Sequence, residues 1–247
     1  MKIIADTNIW YGLGQDKKLY EKFSNEPISP TFANIHELSK SENLLDKEEL
    51  SRSAIQMLFK FKKNVIYEPP FIYLAQLKQD FKYDIATEIG HWLDFTSKFA
   101  KGHSIDSNKK EIFKQEISEG RKKLEEVAVL FNDEAENIRT RILDKKAHKK
   151  IDTYQITAEF INFCIEESTK GKVNIDKFNL DNIELLIKTL DHFFKTLETS
   201  HMKVQTNDWY DFAILTYVQP GDKYWTREKR WINLINDAGC GHYLITE

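Results

Sequence analysis

The chain contains few of the residues that mark secreted, fibrous or membrane-spanning proteins. Its 247 residues include two cysteines, five prolines and nine glycines, so we expect neither a disulfide framework nor a collagen-like or proline-rich chain. No apolar run approaches the roughly 20 residues that a membrane-spanning helix needs. Asp6 interrupts the first apolar run too early for a signal peptide. We therefore expect a cytoplasmic protein without a membrane segment.

A large excess of charge of one sign is also lacking. The net charge is −3, so there is no overall basic character that would indicate nucleic-acid binding, although a local basic patch could suffice. Hydrophobic residues make up 41% of the chain, charged residues 30% and aromatic residues 13%. This composition indicates a globular protein with one large domain or two small ones.

Two kinds of pattern divide the chain. In residues 1–78 and 206–247, short apolar runs alternate with helical patterns, whereas residues 79–205 are strongly charged, poor in proline and helical in period. The sequence predicts strands at 2–6, 27–29, 64–67, 223–226 and 242–246. In the same regions it predicts helices at 16–23, 31–38, 47–61, 209–218 and 229–237. We therefore expect an α/β domain, formed by 1–78 and 206–247, that is interrupted by a large α-helical insertion, 79–205.

Acidic residues follow the predicted strands. Asp6 comes directly after the first strand, and Glu37 lies on the helix after the second. Asp208 and Asp211 begin the helix before the 223–226 strand, and Glu228 lies just past that strand. The carboxyl ends of parallel strands meet at one edge of a sheet. Carboxylates repel one another, so several can share a small cavity only if cations occupy it or some of them stay protonated. Their oxygens suit Mg²⁺ or Mn²⁺.

Each acid taken alone has an ordinary explanation. Asp6 could form an Asx-turn or cap the helix that follows it. Asp208 could occupy the first turn of a helix because the helix dipole favours it there, and Glu228 could pair with a neighbouring cation on a solvated face. A metal site is favoured when the four places are taken together: Asp6, Glu37, Asp211 with Asp208, and Glu228.

The chain resembles the PIN-domain nucleases in three stretches. These are Asp6-Thr7-Asn8, the segment Pro-Thr-Phe-Ala-Asn-Ile-His-Glu-Leu at 30–38, and residues 207–216 followed by 224–228. The resemblance covers about the first 78 and last 42 residues. It implies a three-layer α/β/α fold with a central parallel sheet, and an endoribonuclease in which a water activated by Mg²⁺ or Mn²⁺ hydrolyses RNA phosphodiester bonds. Many proteins of this family are toxins of toxin–antitoxin pairs, and a defence or stress effector is the related expectation here.

The resemblance also suggests roles for individual residues. Asp6, Glu37 and Asp211 resemble the family's metal-binding acids, and Asp208 competes with Asp211 for the third position or supports it. Glu228 stands where the family has aspartate after a threonine, a departure that leaves its direct contact with a metal open. The groups that orient the acids are matched by Thr7, Asn8 and Thr226.

RNA in a single-stranded or looped form is the expected substrate, because its backbone can enter a narrow groove. The insertion is expected to form one wall of that groove, or a surface for a dimer or a regulator. An antitoxin, a regulatory protein and a second copy of the chain stay open as partners. Most of the tryptophans are expected in the core, but Trp10, close behind Asp6, is expected to be partly exposed and so able to stack on an unpaired base. The basic run at 145–150, with Arg139 and Arg141, could contact phosphates, although interleaved acids favour a solvated helix face.

Three other functions are alternatives to the nuclease. A phosphohydrolase of the haloacid dehalogenase type needs a second acid two positions after its nucleophilic aspartate, and that position holds Asn8. A dinucleotide-binding fold needs a third glycine beyond Gly12 and Gly14. A non-catalytic PIN-like module that binds RNA or a protein is the main alternative, and Glu228 in place of aspartate gives it some weight.

Overall fold

The computed structural model describes residues 1–78, 80–143, 153–173 and 180–245, and it shows a mostly helical α/β protein around a small parallel sheet. The strands in these residues are β1 (Ile3–Ala5), β2 (Ile28–Ser29) and β3 (Lys223–Trp225). The α-helices before residue 79 are α1 (Thr7–Gln15), α2 (Lys17–Phe23), α3 (Phe32–Ser39), α4 (Asn43–Asp46), α5 (Glu48–Lys60) and α6 (Pro70–Lys78). The later ones are α7 (Ile85–Ala100), α8 (Ser107–Leu143), α9 (Thr153–Thr169), α10 (Glu184–Thr199), α11 (Asp208–Leu215) and α12 (Lys229–Asp237).

The sheet brings both ends of the sequence together. Its order is β2-β1-β3 and both pairings are parallel, with Ile3 opposite Ile28 and Ile4 opposite Tyr224. All three residues of β1 are buried, as the uninterrupted apolar run predicted for a strand covered on both faces. The carboxyl ends of the three strands therefore lie along one edge of the sheet.

Alternate residues of the strands enter two different hydrophobic cores. Ile4 and Tyr224 belong to the core on one face, whereas Ile3, Ala5 and Trp225 belong to the core on the other. Successive side chains of a strand point to opposite faces, so helices cover the sheet on both sides. The α/β class and the parallel sheet predicted from the sequence are confirmed at this level.

The helical middle of the chain contributes to the first of these cores. Phe193 of α10 packs edge-on against Phe212 of α11, with ring centroids 5.0 Å apart, and stacks on Trp231 of α12 at 6.2 Å. Ile161 of α9 and Ala128 of α8 belong to the same core. Residues assigned to the insertion and residues of the C-terminal α/β segment therefore bury the same apolar surface.

Two predicted strands are reduced to single bridges. In the stretch predicted at 64–67, only Ile66 pairs, in parallel with Thr31. Phe32 donates to the Ile66 carbonyl (2.8 Å) and Ile66 donates to Pro30 (2.9 Å). The 3₁₀ turn Lys62–Asn64 takes the first residue of this stretch, and α6 begins at Pro70, so too few extended residues remain for a ladder.

The strand predicted at 242–246 is likewise wrong in extent. A 3₁₀ turn covers Gly241–Tyr243, and only Leu244 bridges to Tyr224. The backbone amide of Ile245 donates to the Tyr224 carbonyl at 3.0 Å. Thr246 lies outside the described residues.

The helix α8 is the longest in the described chain, and polar contacts fasten it to other helices and loops. Asn132 donates to the Val204 carbonyl (3.1 Å) and accepts from the Val204 amide (2.7 Å). The indole of Trp209 on α11 donates to the Leu124 carbonyl at 3.2 Å. Among the described residues, no helix combines the length and the apolar character needed to cross a membrane.

Candidate metal centre

Three carboxylates meet at the edge where the parallel strands end. Asp6 follows β1, Glu228 is the third residue after β3, and Asp211 lies in the first turn of α11. One oxygen from each carboxylate lies within 4.8 Å of the other two. Asp6 and Asp211 are buried, at 4% and 7% exposure, whereas Glu228 is exposed. The centre therefore has a buried floor and an open side.

Hydrogen bonds fix the orientation of Asp6. Its Oδ2 atom accepts from Asn8 Nδ2 at 2.5 Å and from Thr226 Oγ1 at 2.7 Å. Thr226 Oγ1 in turn accepts from the Glu228 backbone amide at 3.1 Å. Asp6 occupies the N-cap position of α1 but makes no side-chain capping hydrogen bond there. The side chains of Asn8 and Thr226 thus set the orientation of this carboxylate.

Glu37 reaches the same region from α3. Its Oε2 atom accepts from Thr7 Oγ1 at 2.5 Å, and the charges of Asp6 and Glu228 both influence its pKa. Glu37 is not part of the group whose oxygens lie within 4.8 Å of one another. It is therefore placed beside the three converging carboxylates, at a longer distance.

Asn34 supports this arrangement and was not predicted as a site residue. Its Nδ2 atom donates to the Ala5 carbonyl (3.1 Å) and to Thr7 Oγ1 (3.2 Å). Its backbone amide donates to Thr31 Oγ1, and its Oδ1 atom accepts from the Thr31 amide, which forms a capping box at the start of α3. The pattern Thr-x-x-Asn before an apolar helix is the sequence feature that could have identified it.

The carboxyl groups at this edge resist ionisation. Burial is the main cause that raises the pKa of Asp6 to about 6 and that of Glu37 to about 7, against hydrogen bonds from Thr226 and Thr7 that lower them. Burial, and then the charge of Asp6, hold the pKa of Asp211 well above its usual range. A divalent cation would relieve both the burial cost and the mutual repulsion. The all-oxygen donor set therefore fits Mg²⁺ or Mn²⁺.

Asp208 has a different partner. Its Oδ2 atom accepts from the Arg230 guanidinium at 3.0 Å and from the Gln205 backbone amide at 2.7 Å. The side chain is buried, and Arg230 supplies its counter-charge. Of the two acids that begin α11, Asp211 joins the converging carboxylates, whereas Asp208 forms an ion pair beside them.

Tyr224 is a second residue that sequence reasoning missed. It is fully buried on β3, and no atom in the described part of the chain hydrogen-bonds with its hydroxyl group. Burial is the main cause that raises its pKa, and the charges of Asp6, Asp211, Glu228 and Glu37 raise it further. A tyrosine in an apolar strand predicts only a core residue, so its proximity to the acids emerges from the fold.

Two of the residues predicted to contact RNA, Trp10 and Arg139, make contacts within the protein instead. Trp10 was expected to be partly exposed, which is wrong: it is fully buried and packs against Phe61 with ring centroids 5.9 Å apart. Arg139 donates to the Leu197 carbonyl and to the Ser200 carbonyl (2.6 Å), and so holds the end of α10. Arg141 is exposed. The basic run at 145–150 lies outside the described residues.

The chain was compared with protein-family models, with curated proteins and with solved structures. None of the three comparisons gives a significant match. Functional inference therefore depends on the site itself.

Proposed function

We propose that this protein is a Mg²⁺- or Mn²⁺-dependent endoribonuclease built on a PIN-like core. The observation that carries the proposal is the convergence of Asp6, Asp211 and Glu228 at the carboxyl edge of a parallel sheet, with Glu37 beside them. Buried carboxylates with raised pKa values are costly for the folded chain. A bound cation with a role in function would explain why the chain keeps these costly carboxylates.

The roles follow from the contacts of the side chains. Asp6, Asp211 and Glu228 are the proposed cation ligands, and Asn8 and Thr226 hold the Asp6 carboxylate in place. Glu37, oriented by Thr7, lies where it can act on the same cation or on substrate. A bound cation would polarise a scissile phosphate and its attacking water. The open side at Glu228 leaves room for the RNA backbone.

The arrangement gives little support to the dehalogenase-like alternative. Asn8 donates to Asp6 at 2.5 Å, and an amide cannot protonate a leaving group in place of an acid. A non-catalytic module stays the second candidate because Glu228 is exposed and longer than aspartate. In either case, a role as a toxin or as a defence or stress effector is an extension by analogy.

The decisive experiment incubates the purified protein with mixed single-stranded and hairpin RNAs, with and without Mn²⁺. We expect cleavage that requires Mn²⁺ and that is lost in Asp6→Asn. Asp133→Asn, which removes an exposed carboxylate on α8, is the matched control and should cleave as the wild type does. Identical RNA fragments from wild type and Asp6→Asn would refute the catalytic role, and RNA binding without cleavage would favour the module.

A further inference from the structure

Two adjoining cavities run along α8, and one of them reaches Glu37 beside the candidate metal centre. The first, of about 530 Å³, lies between α8 and the α3–α4 region, and Glu37 is part of its lining. The second, of about 410 Å³, continues along α8 as far as Asn132. Arg121, Thr206 and Asn207 line both cavities. We refer to the two together as the α8 groove.

The groove is long enough for several nucleotides. Its lining on α8 extends from Glu116 to Asn132, a distance of about 24 Å at the helical rise per residue. Stacked nucleotides are spaced about 3.4 Å apart along one strand. The hydrogen bonds between Asn132 and Val204, and between Trp209 and Leu124, hold the opposite wall against α8. The groove is thus a fixed feature rather than a gap between loose segments.

The end of the groove near Glu37 has the chemistry of a nucleoside site. Tyr11, Tyr210 and His36 are among its lining residues. The cavity volume there, about 530 Å³, lies within the range usual for small-molecule sites. Aromatic rings beside hydroxyl and amide groups suit the stacking and edge recognition of unpaired bases.

Cations and anions nearly balance along the groove, and one ion pair crosses it. The cations among the lining residues are Lys40, Arg121 and Lys123, and the anions are Glu37, Glu42, Glu116 and Glu125. Arg121 on α8 pairs with Glu42, the residue before α4, at 2.8 Å. Both side chains are more than half exposed, at 59% and 63%. An exposed ion pair contributes little to stability, so a phosphate can replace Glu42 as the partner of Arg121.

We propose that the α8 groove binds single-stranded RNA and guides it to the metal centre, with Arg121 exchanging Glu42 for a backbone phosphate. That the RNA in the groove leads toward the metal centre rests on the proposed nuclease function. The proposal assigns the helix α8 a part in the substrate site. It also predicts opposite effects for the two members of one ion pair: Arg121 attracts the phosphate, whereas Glu42 competes with it.

The test measures binding of a fluorescein-labelled eight-nucleotide single-stranded RNA to the full chain by fluorescence anisotropy, in EDTA so that metal-dependent cleavage is absent. Arg121→Gln should weaken binding about three- to tenfold, because one charge-assisted phosphate contact is lost. It should also reduce the slope of log K against log salt by about 0.7. Glu42→Gln should strengthen binding, since Arg121 is released and a negative charge is removed.

Matched controls on the same helix separate this effect from net charge. Lys122→Gln and Glu126→Gln make the same charge changes at exposed residues that do not line the groove, and both should bind as the wild type does. Equal weakening by Arg121→Gln and Glu42→Gln would overturn the exchange. Effects no larger than those of the controls, no binding by the wild type, or tighter binding of the same DNA sequence would overturn the RNA site.

The proposal and the nuclease function can fail separately. Groove variants that bind RNA normally while the wild type still cleaves RNA with Mn²⁺ would leave the nuclease function intact and overturn the groove. Groove-dependent binding without any cleavage would support the groove and favour a binding module instead of an enzyme.

Discussion

At the scale of single residues, the candidate metal centre places carboxylates where their ionisation is unfavourable for the folded chain. Asp6 has both of its side-chain donors on one oxygen, Oδ2, and lies within a group of three converging carboxylates. Burial raises its pKa to about 6 despite those donors. A residue selected only for stability would not be ionisable at this position. The proposed cation site supplies a physical reason for an acid there.

Replacing this acid should therefore stabilise the metal-free protein. The pKa of Asp6 rises on folding from near 4 to about 6, so its ionisation at pH 8 costs the folded state about 2–3 kcal/mol. The amide oxygen of Asp6→Asn can still accept from Asn8 and Thr226. We expect urea unfolding at pH 8 in EDTA to show a gain of about 1–3 kcal/mol. Asp133→Asn should change stability little, and a loss of stability in Asp6→Asn would contradict the account.

The raised pKa values also predict how cation binding depends on pH. A carboxyl whose pKa rises on folding stabilises the folded state fully below its unfolded pKa, near 4. That stabilisation is lost as pH rises through about 6 for Asp6 and about 7 for Glu37. Cation binding needs the ionised groups, so it displaces protons and strengthens as pH rises through the same range.

The increase in melting temperature caused by Mn²⁺ should accordingly be larger at pH 8 than at pH 5.5. Calorimetric titration in two buffers of different ionisation enthalpy should show protons released on binding at pH 6. The same Mn²⁺-dependent increase at both pH values would argue against binding by Asp6 and its neighbours. Asp133→Asn should retain the wild-type pH dependence.

At the scale of elements, local sequence patterns predicted the helices whose ends are marked by a recognisable stop signal such as glycine. Helix α12 has the predicted bounds, Lys229–Asp237, and Gly239 ends it with a backbone φ of +75°. The helix α1 was not predicted, because its two glycines and apolar residues lack a clear helical period. Gly14 is explained by packing: a Cβ atom there would lie 2.8 Å from Ser53 Oγ on α5.

The metal centre shows the same division between local and long-range information. Most of the acids could be predicted because they follow a recognisable strand or begin a helix, whereas Glu37 lies in the second half of α3. The choice between Asp208 and Asp211 could not, since it depends on Arg230, which is 22 residues from Asp208 along the chain. The single bridges at Ile66 and Leu244 likewise depend on partners that are distant in sequence.

The junction of β1 and α3 depends on one side chain. Asn34 is fully buried and bonds to Ala5, Thr7 and Thr31. Asn34→Ala would leave buried polar groups unpaired, and we expect a loss of about 2–4 kcal/mol. For a chain of this size the melting temperature should fall by roughly 4–16 °C. Asn108→Ala, at an exposed position on α8, should leave the melting temperature within a degree or two, and an equal fall in both variants would contradict the role of Asn34.

At the scale of the whole molecule, the terminal α/β segments and the helical middle segment are distinguishable in sequence but share a hydrophobic core in space. The sheet joins residues near both ends of the chain. On one face, α10 from the middle of the chain buries Phe193 against Phe212 and Trp231. The helix α8 lines the groove that reaches Glu37. The middle segment therefore contributes both to stability and to the proposed substrate site.

This sharing predicts that a shortened chain, in which residues 1–78 are joined directly to 206–247, will not fold cooperatively. Removing α10 alone takes away nine buried residues and exposes aromatic side chains of α11 and α12. Exposure of each large apolar side chain costs about 1.5–3 kcal/mol, and the total would exceed the 5–15 kcal/mol that usually stabilises a domain.

Near-ultraviolet circular dichroism and urea unfolding of the shortened chain test this expectation. We expect no near-ultraviolet signal, no sigmoidal transition and no stabilisation by Mn²⁺, because the acids converge only when α11 is packed in place. The matched control keeps every helix and inserts a short Gly-Ser segment at the exposed Gly102–His103 turn, and it should unfold as the wild type does. A shortened chain that unfolds cooperatively and is stabilised by Mn²⁺ would show instead that the terminal segments form an independent domain, with α8 and α10 only docked on its surface.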